Sequence, residues 1–555
     1  MNFPTIIPSD SGVAFPIALL FITVAVYSIA RGAIWRSKPS RFWSSQPNIG
    51  LKKQPFSWFL GTMRSATRIK FWAREGYDKY SRNNIPFTIP TMDRGRLVVI
   101  PRQQIKQVYA LTDGVLDVHE TQDENLQMKY TVWDKDVIEE RLQVNVIHRQ
   151  LNHNLAHVTG SIYDETDFGF RRMWGTSGEW TDVKVWDTSL RIIAGAANGV
   201  FCGKPLCRNT EFLDALRDHA MGIFGSAIVI GCTPNMLKPI PGVLASYVCH
   251  YLFRRAAKMA LPFIKERLDA TAKHKANPES GWVPPNDGLQ WIIDECYGSK
   301  RDSQLNPVRV CHRLLLINDV SLHTTSFTMQ DFILNLFSTN SSFGYVEILR
   351  EECVAALEES GGRWDRSAID KLRLVDSAIR ESMRLSPVGQ IMLPRKVIHP
   401  DGLVLDNAKD PVPFGTDVSV PIEPIHHDES IYENALSYEP FRFAPIDAVE
   451  KVLGRFSDEQ RASFKGNMGT SVDIQRKPKP RMTVVLDETF LGFGVSGKHA
   501  CPGRFFALVE MKLFVAYLLL NYDIEFLKER PKPVSVLWLN HPSGASVRVC
   551  RRTRV

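Results

Sequence analysis

The strongest constraint on the fold is a stretch of about 280 residues, ending near position 390, that has helical rather than strand-like spacing of its apolar residues. Strand-like runs flank it. "IPFTIPTMDRGRLVVIP" predicts a hairpin that turns at residues 93–95, and "IMLPRKVIHPDGLVLDN" predicts further strands. "VSVLWLNHPSGASVRVC" predicts a last hairpin that turns at residues 542–544. The sequence therefore predicts a mainly α fold with small antiparallel β-sheets.

Composition narrows the class of protein. The 555 residues are 44% apolar and 23% charged, as in folded proteins, and suit one large α-rich domain or two intimate subdomains. The net charge of +8 is modest, and the sequence has neither a basic stripe with interleaved aromatics nor zinc-finger spacing. We therefore expect no nucleic-acid partner. The nine cysteines show no CxxC spacing, which indicates free thiols in a reducing compartment.

The N-terminal region predicts a membrane anchor. Residues 11–30 carry no charge, and about 20 such residues cross a bilayer. From Arg31 to Arg74 every charged residue is Lys or Arg, which places the body of the protein in the cytosol and residues 1–10 in the lumen. We expect a single-pass protein of the endoplasmic reticulum membrane. A cleaved signal peptide is the alternative, but its apolar core is shorter and follows basic residues.

The rest of the chain divides simply. Residues 31–49 are basic, contain two prolines and predict a stiff hinge, and residues 50–555 predict one folded domain. Within that domain, residues 492–504 form a cysteine loop. Residues from about 455 to 485 are polar and irregular, which indicates a surface insertion.

The cysteine loop, "GFGVSGKHACPGRFFA", carries the chemistry. Cys501 directly precedes a strongly helical run, so the positive end of that helix favours a thiolate. Backbone N–H groups turned inward at Gly497 and Gly503 would stabilise the same anion. Cationic neighbours add to this effect: His499, Lys498 and Arg504. We therefore predict a lowered pKa for the Cys501 thiol. The alternatives are a hydrolase nucleophile and a buried structural cysteine.

This loop resembles the haem-binding loop of the cytochrome P450 monooxygenases, whose pattern is Phe-x-x-Gly-x-Arg/His-x-Cys-x-Gly. Gly497, His499, Cys501 and Gly503 are in register with that pattern. The resemblance implies that the Cys501 thiolate is the proximal ligand of the iron of haem b. It also implies that His499 contacts a haem propionate.

One position departs from the family pattern. Phe493 lies eight residues before Cys501 instead of seven, and Gly494 takes the usual place of the phenylalanine. The loop thus contains one extra residue, Val495 or Ser496, which a small bulge between glycines would absorb. Phe493 is still expected to pack over the sulfur, where it would tune the iron.

A second pattern supports the resemblance. In "DSAIRESMRLSP", Glu381 and Arg384 lie three residues apart on one helical face. Alone, such a pair is a common surface feature. With Arg442 of "YEPFRF" it resembles the family's buried network, a structural rather than a chemical element. Arg395 of "MLPRKV" is expected at the second propionate, with Lys396 as a weaker candidate.

Two further segments match the family less closely. "CHRLLLINDVSLHTTSFTMQDFILNLF" predicts a long apolar helix that its hydroxyl residues could open locally. The family uses such an opening for oxygen activation, which Thr324 would serve. His323 stands where an acid is usual and would relay protons, or is a satisfied core histidine. In "NVIHRQLNHNL", Arg149 is a candidate haem contact, although the usual Trp-x-x-x-Arg pattern is absent.

The resemblance, from about residue 50 to the end, implies a function. One atom of O2 would enter a C–H or C=C bond of a lipophilic substrate, and the other would leave as water. The sequence lacks flavin and dinucleotide fingerprints, so electrons from NADPH would arrive through a separate cytochrome P450 reductase. "EGYDKYS", "HACPGRFFA" and "HTTS" are similar to membrane-anchored fungal members of secondary metabolism that oxidise terpenoids and meroterpenoids. Two alternatives remain: a haem-thiolate isomerase or dehydratase without a reductase, and a non-catalytic haem protein that binds a ligand.

Overall fold

A computed structural model describes residues 41–468, 480–541 and 543–553 of the chain. Its α-helices up to residue 231 are α1 (Arg41–Ser45), α2 (Ser57–Lys79), α3 (Ile105–Tyr109), α4 (His119–Leu126), α5 (Met128–Thr131), α6 (Lys135–Glu139), α7 (Leu142–Asn145), α8 (Leu155–Trp174), α9 (Val185–Phe201) and α10 (Thr210–Gly231). A π-helix, Val146–Leu151, follows α7. The later helices are α11 (Pro239–Ala276), α12 (Gly288–Gly298), α13 (Pro307–Leu336), α14 (Tyr345–Glu358), α15 (Arg366–Lys371), α16 (Arg373–Leu385), α17 (Ile422–His426), α18 (Ile446–Leu453), α19 (Asp458–Met468) and α20 (Arg504–Asn521).

The strands are short and form three small sheets within the described ranges. They are β1 (Phe87–Thr91), β2 (Gly95–Val99), β3 (Leu116–Asp117), β4 (Thr181–Lys184), β5 (Met392–Val397), β6 (Asp417–Val420), β7 (Tyr522–Ile524), β8 (Val534–Val536), β9 (Leu539–His541) and β10 (Ser546–Arg551). The largest sheet has the order β1-β2-β6-β5-β3. Its pairs are antiparallel except β2 with β6, which run parallel, so this sheet is mixed rather than purely antiparallel.

The first predicted hairpin is present, and the last one is different. β1 and β2 pair from Phe87 with Val99 to Thr91 with Gly95, around the predicted turn. At the C-terminus, the prediction of one hairpin turning at residues 542–544 was wrong. β8 pairs with β9 around a turn at Leu537, whose φ is 54°, whereas β10 pairs with β4 and β7 in another sheet. The left-handed conformation at Leu537 reverses the chain earlier than its residue types indicate.

Helix α13 is the centre of the helical core. It contacts α9, α10, α11, α16 and α20. It starts at Asn306, whose side chain accepts a hydrogen bond from the backbone N–H of Val308, with Pro307 in the first turn. Of the 30 residues of α13, 21 are buried, because the helix has neighbours on most of its sides.

Helix α20 is fixed beside α13 by burial and by one buried ion pair. Its residues from Phe506 onward are almost all buried. Lys512 Nζ lies 2.9 Å from the carboxylate of Asp376 on α16, and both side chains are about 5% exposed or less. Asp376 also accepts hydrogen bonds from Thr483, at 2.7 Å from both the backbone N–H and the hydroxyl. The helix that follows the cysteine loop is therefore held rigidly against α16.

The described parts of the predicted hinge and insertion pack on the domain. Phe42 is fully buried, and Ile49 is 5% exposed. In the insertion, residues 458–468 are helical, Thr483 is buried, and residues 469–479 lie outside the described part. The predicted anchor, residues 11–30, also lies outside it. Within residues 41–468, 480–541 and 543–553, no helix combines the length and the apolar character that a membrane span needs.

Candidate active site

The cysteine loop closes on itself before α20 begins. The backbone N–H of Cys501 donates to the carbonyl of Phe493 at 2.9 Å, and the N–H of Ala500 donates to the carbonyl of Gly497 at 3.2 Å. Gly494 has a φ of +94° and Gly497 a φ of +125°, conformations that side chains rarely adopt. The sequence therefore needs glycine at both positions to bring Cys501 back beside Phe493.

The extra residue of the loop lies between these two glycines. Val495 is half-buried and packs against an apolar cluster that includes Leu491 and Leu393, while Ser496 is exposed. The loop thus absorbs its additional length with one anchored and one solvated residue. Phe493 keeps its hydrogen bond to Cys501 despite the departure in spacing.

The prediction of a lowered pKa for the Cys501 thiol was wrong, because the protein atoms by themselves raise this pKa. Burial raises the pKa of the thiol and outweighs the backbone N–H groups of Gly503 and Arg504, which act in the opposite direction. The Arg504 guanidinium also lowers it but donates to the Cys501 carbonyl, Nη1 to O at 2.8 Å. A bound metal ion deprotonates a coordinating thiol directly, so this partly buried cysteine needs the metal itself to become a thiolate.

His499 and Lys498 are turned to a carboxylate that the sequence analysis missed. His499 Nε2 lies 2.7 Å from Asp113 Oδ1, and Lys498 Nζ pairs with Asp113 Oδ2. Hydrogen bonds from the Lys498 and His499 side chains lower the pKa of Asp113 to about 2. Asp113 lies 386 positions before His499, so no local pattern could have identified it. The propionate contact predicted for His499 stays a prediction.

Arg395 has the features of an anion-binding group. It is 8% exposed, and burial lowers the pKa of its guanidinium. In the described structure its side chain donates one hydrogen bond, Nη1 to the Pro394 carbonyl at 2.9 Å, and lies 5.1 Å from the Tyr109 ring centre. Lys396, the weaker candidate, forms ion pairs through its Nζ atom with Glu124 at 2.6 Å and with Asp417 at 3.5 Å. A guanidinium has five N–H donors, so Arg395 retains capacity for an anion.

The structure brings Glu381, Arg384 and Arg442 together in the core. Arg384 donates to both Glu381 oxygens at 2.8 Å, and Arg442 Nε donates to the same two oxygens at 3.1 Å. All three side chains are at most 3% exposed. Arg384 also donates to the carbonyls of His426 and Ala435, at 2.6 and 2.7 Å. The network thereby ties α16 to the chain segment that precedes the cysteine loop.

One face of α13 is open in the middle of the core. Val320 is 50% exposed and Thr324, one turn later, is also exposed, although their neighbours Asp319 and His323 are buried. The expected local opening of the helix is not present, because hydroxyls bond back to carbonyls one turn earlier. Thr324 Oγ1 donates to the Val320 carbonyl at 3.2 Å. We call this exposed strip, defined by Val320 and Thr324, the cleft face.

His323 faces away from the cleft face. It is 6% exposed and lies between the rings of Trp186 and Phe224, with ring centres 6.1 and 5.9 Å away. Burial lowers the pKa of its imidazole, which Asp319 raises less. Its Nε2 atom is buried without a hydrogen-bond partner among the described residues. His323 is therefore a neutral histidine whose Nε2 atom lacks a hydrogen bond from the surrounding described residues.

Arg149 lies in the π-helix and is exposed. Its segment is adjacent to the cysteine loop, because Asn152 Nδ2 donates to the Pro502 carbonyl at 3.3 Å. π-Helical turns often occur at functional sites. The structure thus places Arg149 near the loop without giving it a defined contact.

These residues fit a flat, dianionic cofactor such as haem. A methyl group at Gly503 would meet no atom closer than Ile147 Cγ2 at 4.0 Å, so the protein itself gives no steric reason for a glycine there. Arg395 is a buried cation with unused donors, and Cys501 supplies sulfur at the start of α20. The donor set and the open cleft face match the needs of an iron–porphyrin with two propionates.

Comparison with known proteins decides the family. The family profile described as Cytochrome P450 matches residues 226–549. Cytochrome P450 monooxygenase okaG of Penicillium ochrochloron is 41% identical over 507 residues, covering 91% of this chain and 93% of that protein. This chain belongs to the cytochrome P450 family. Cytochrome P450 monooxygenase gloP of Glarea lozoyensis is 32% identical over 543 residues, covering 96% and 95%. Cytochrome P450 monooxygenase htyF of Aspergillus rugulosus is 31% identical over 503 residues, covering 89% and 70%.

Family membership fixes the cofactor and the class of enzyme. Cytochromes P450 bind haem iron through a cysteine thiolate, and the protein is therefore a haem-dependent monooxygenase that uses O2 and a redox partner. This cytochrome P450 also carries site features without a sequence signal. They include the Asp113 contact and His426, whose Nε2 accepts a hydrogen bond from the Leu491 N–H at 3.0 Å. Both depend on long-range packing.

Proposed function

We propose that this cytochrome P450 inserts one atom of O2 into a lipophilic small molecule at the cleft face of α13, with haem held by Cys501. The observation that carries the proposal is the position of Cys501 in a closed loop at the start of α20, the helix that packs on α13. When bound, the haem supplies the oxygen-activating chemistry, and the second oxygen atom leaves as water.

The protein residues hold and orient the cofactor in this proposal. Cys501 would ligate the iron, Gly503 would leave room for the porphyrin, and Arg395 would donate to a propionate. His499 would contact the other propionate, while Asp113 holds its ring. Glu381, with its two arginines, keeps α16 and the segment before the loop in place.

The remaining site residues act on the distal side or near the loop. Thr324 presents its hydroxyl at the cleft face, where it would hold a proton for the oxygen chemistry that haem supplies. Arg149, exposed on the π-helix, is a candidate haem contact. Phe493, Gly494 and Gly497 shape the proximal loop.

The proposed substrate class follows from the side chains exposed at the cleft face. Val320 presents an apolar side chain at the cleft face, as expected of a site for lipophilic molecules. The narrower class, a fungal terpenoid or meroterpenoid intermediate, rests on the resemblance of the sequence motifs alone. NADPH–cytochrome P450 reductase is the proposed electron donor.

The proposed localisation is the cytosolic side of the endoplasmic reticulum membrane, with residues 11–30 as the anchor. An apolar surface supports contact with lipid. It extends from the middle of α10 into α11, and nine large apolar side chains there are 50–73% exposed: Met221, Val229, Met236, Ile240, Val243, Leu244, Tyr247, Val248 and Tyr251. Lys498, 74% exposed, is proposed to dock an acidic reductase surface.

The test is NADPH-dependent product formation by the full chain with reductase in microsomes, for the wild type and Cys501→Ser. The probe panel is 7-ethoxycoumarin, testosterone and geranylgeraniol. We expect oxygenated product from the wild type, one oxygen atom heavier by mass spectrometry with 18O2, and none from Cys501→Ser. Conversion without NADPH would favour the isomerase or dehydratase alternative. Spectral binding without any product would favour a ligand-binding protein.

A further inference from the structure

The turn of the β1–β2 hairpin carries two charged side chains that are largely shielded from water. Asp93 and Arg94 are 14% and 9% exposed, although connecting turns usually lie open on the surface. The β8–β9 turn covers them through Trp538, whose Nε1 donates to Asp93 Oδ2 at 3.0 Å. The end of α10 covers them too, since a methyl group added at Gly231 would lie 3.8 Å from Asp93 Cβ. The tip of the hairpin is thus enclosed by distant parts of the chain.

Asp93 has one satisfied and one unsatisfied carboxylate oxygen. Oδ2 accepts hydrogen bonds from Trp538 Nε1 and from Arg94 Nε, the latter at 3.2 Å. Oδ1 is buried and has no hydrogen-bond partner among the described residues. A buried carboxylate oxygen without a donor is costly, so it indicates that a donor from outside the chain belongs there.

The hairpin turn itself does not use the Asp93 side chain. An aspartate in a turn commonly accepts a hydrogen bond from a backbone N–H of that turn. Here Thr91 Oγ1 takes this part, because it accepts from the Arg94 N–H at 3.2 Å. Asp487 shows the ordinary arrangement. Its Oδ1 accepts from the N–H and the hydroxyl of Thr489 and from the Phe490 N–H, at 2.6 to 2.9 Å.

Asp93 lines a small pocket with an apolar and a polar part. The polar part consists of Thr91 and the charged turn, and the Trp538 ring closes one side. Four apolar side chains complete the lining: Ile69, Ile89, Leu97 and Ile391. The pocket is too small for a whole lipophilic molecule, but it suits an apolar end that carries one polar group.

The inner side of the pocket borders the segment that leads to Arg395. The Gln390 N–H donates to the Trp538 carbonyl at 3.0 Å, which joins the β8–β9 turn to that segment. Burial raises the pKa of the Tyr109 hydroxyl, and the charges of Arg395 and Arg94 both lower it. The two guanidinium groups therefore approach the same phenol ring, and the pocket lies on the side of the site where Arg395 would hold haem.

The outer side of the pocket borders the apolar surface of α10 and α11. Gly231, which contacts Asp93, lies between Val229 and Met236 in the sequence. These two side chains are 58% and 71% exposed and belong to that surface. A lipophilic molecule that leaves a lipid phase there would meet Asp93 on its way to the site.

We propose that Asp93 Oδ1 determines specificity by accepting a hydrogen bond from a neutral hydroxyl or amide N–H at one end of the lipophilic substrate. The donor is neutral because Arg94 already balances the carboxylate charge, and an ammonium group would place a second cation beside Arg94. The inference rests on the proposed monooxygenase function and narrows its substrate to lipophilic molecules with such a donor.

The experiment measures binding to the ferric full-chain holoenzyme by the shift of the Soret band. It uses two pairs of probes that differ at one position, where a hydroxyl is replaced by a carbonyl group: testosterone with androst-4-ene-3,17-dione, and geranylgeraniol with geranylgeranial. The test variant is Asp93→Asn, which keeps the volume but turns one acceptor oxygen into a donor. Haem content and melting temperature check that each variant is folded.

Two control variants separate recognition from structure. Trp538→Phe removes the hydrogen bond to Asp93 Oδ2, which ties the two hairpin turns together, and leaves Oδ1 in place. Asp370→Asn removes a carboxylate from an exposed ion pair on α15. If Asp93 were only a structural tie, Trp538→Phe would disturb binding in the same way as Asp93→Asn.

We expect the wild type to bind each alcohol at least about tenfold more tightly than its carbonyl partner, because the carbonyl compound leaves the buried acceptor unpaired. In Asp93→Asn this preference should fall to about one. It should persist in Asp370→Asn and in Trp538→Phe, even where Trp538→Phe lowers the melting temperature. Equal affinities in the haem-loaded wild type, or no Soret shift with either alcohol, would overturn the inference.

A crystal structure of the ferric holoenzyme with testosterone gives a second readout. We expect the steroid hydroxyl within about 3 Å of Asp93 Oδ1. A water molecule at Oδ1, with the steroid bound elsewhere, would overturn the inference. Preference for the alcohols without any NADPH-dependent product would overturn the proposed function and leave the recognition by Asp93 intact. Product formation with equal affinity for alcohol and carbonyl would overturn the recognition alone.

Discussion

Replacing Glu381 by glutamine tests whether the Glu381–Arg384–Arg442 network holds the proximal side of the fold. Glu381 accepts four hydrogen bonds from the two guanidinium groups, at 2.8 to 3.1 Å, and the three side chains are at most 3% exposed. Glutamine keeps the volume but removes the charge and turns one acceptor into a donor. The two buried guanidinium groups then lose the carboxylate that they share, and Arg442 keeps only its longer ion pair with Glu439 at 3.4 Å.

The expected loss follows from that burial. Removing one partner of a buried ion pair costs about 3–5 kcal/mol, because the uncompensated charge stays desolvated. Asp370→Asn is the matched control. It breaks the ion pair of Asp370 with Arg366 on α15, where the side chains are 58% and 44% exposed. Exposed pairs of this kind contribute about 0.5 kcal/mol or less.

The assay is urea unfolding of the purified holoenzyme, followed by tryptophan fluorescence and by the Soret band. Glu381→Gln should lower the unfolding midpoint strongly, and Asp370→Asn should leave it almost unchanged. Haem should be lost at lower urea than global unfolding, since the network supports the segment before the cysteine loop. A loss under about 1 kcal/mol for Glu381→Gln would refute the reasoning, because the network would then be energetically neutral.

Three further changes test individual site residues. Gly503→Ala should leave the unfolding midpoint of the haem-free chain unchanged but reduce its haem content. Gly497→Ala should lower the free energy of unfolding by about 1–3 kcal/mol, because the φ of Gly497 is +125°. Equal effects of the two variants would contradict this distinction. Burial lowers the pKa of His312 to about 3. Between pH 6.5 and about 3 this histidine is therefore protonated only in the unfolded chain, which lowers the free energy of unfolding as the pH falls. In urea titrations His312→Phe should lose about 2 kcal/mol less of this free energy between pH 6.5 and 5 than the wild type, and an unchanged pH dependence would disprove the assignment. Asp113→Asn should speed haem transfer to apomyoglobin about two- to fivefold by releasing His499, and no change would show that the contact does not position the loop.

Local patterns predicted the local parts of the structure. The β1–β2 hairpin and the long helix α13 follow from turn residues and apolar spacing, and both are present. Glu381 and Arg384 were placed on one helical face by their spacing, whereas Arg442 joined them only through the family resemblance. The family itself was identified from the residues around Cys501, and the comparisons confirm it.

The rest depends on contacts between distant segments. The parallel pairing of β2 with β6 joins segments about 320 residues apart, and Asp113 meets His499 across 386 positions. The pKa of Cys501 was mispredicted because charges are visible in the sequence, whereas burial depends on the whole fold. The burial of His323 beside Trp186 likewise follows from helix packing.

The most direct test of the account is the CO-difference spectrum of the dithionite-reduced full chain in microsomes. It compares the wild type with Cys501→Ser, and Cys550→Ser serves as control because Cys550 is another partly buried cysteine, on β10. We expect the red-shifted Soret band of a thiolate-ligated haem in the wild type and in Cys550→Ser, and its loss in Cys501→Ser. A folded Cys501→Ser variant that keeps this band would contradict the assignment of Cys501 as the iron ligand.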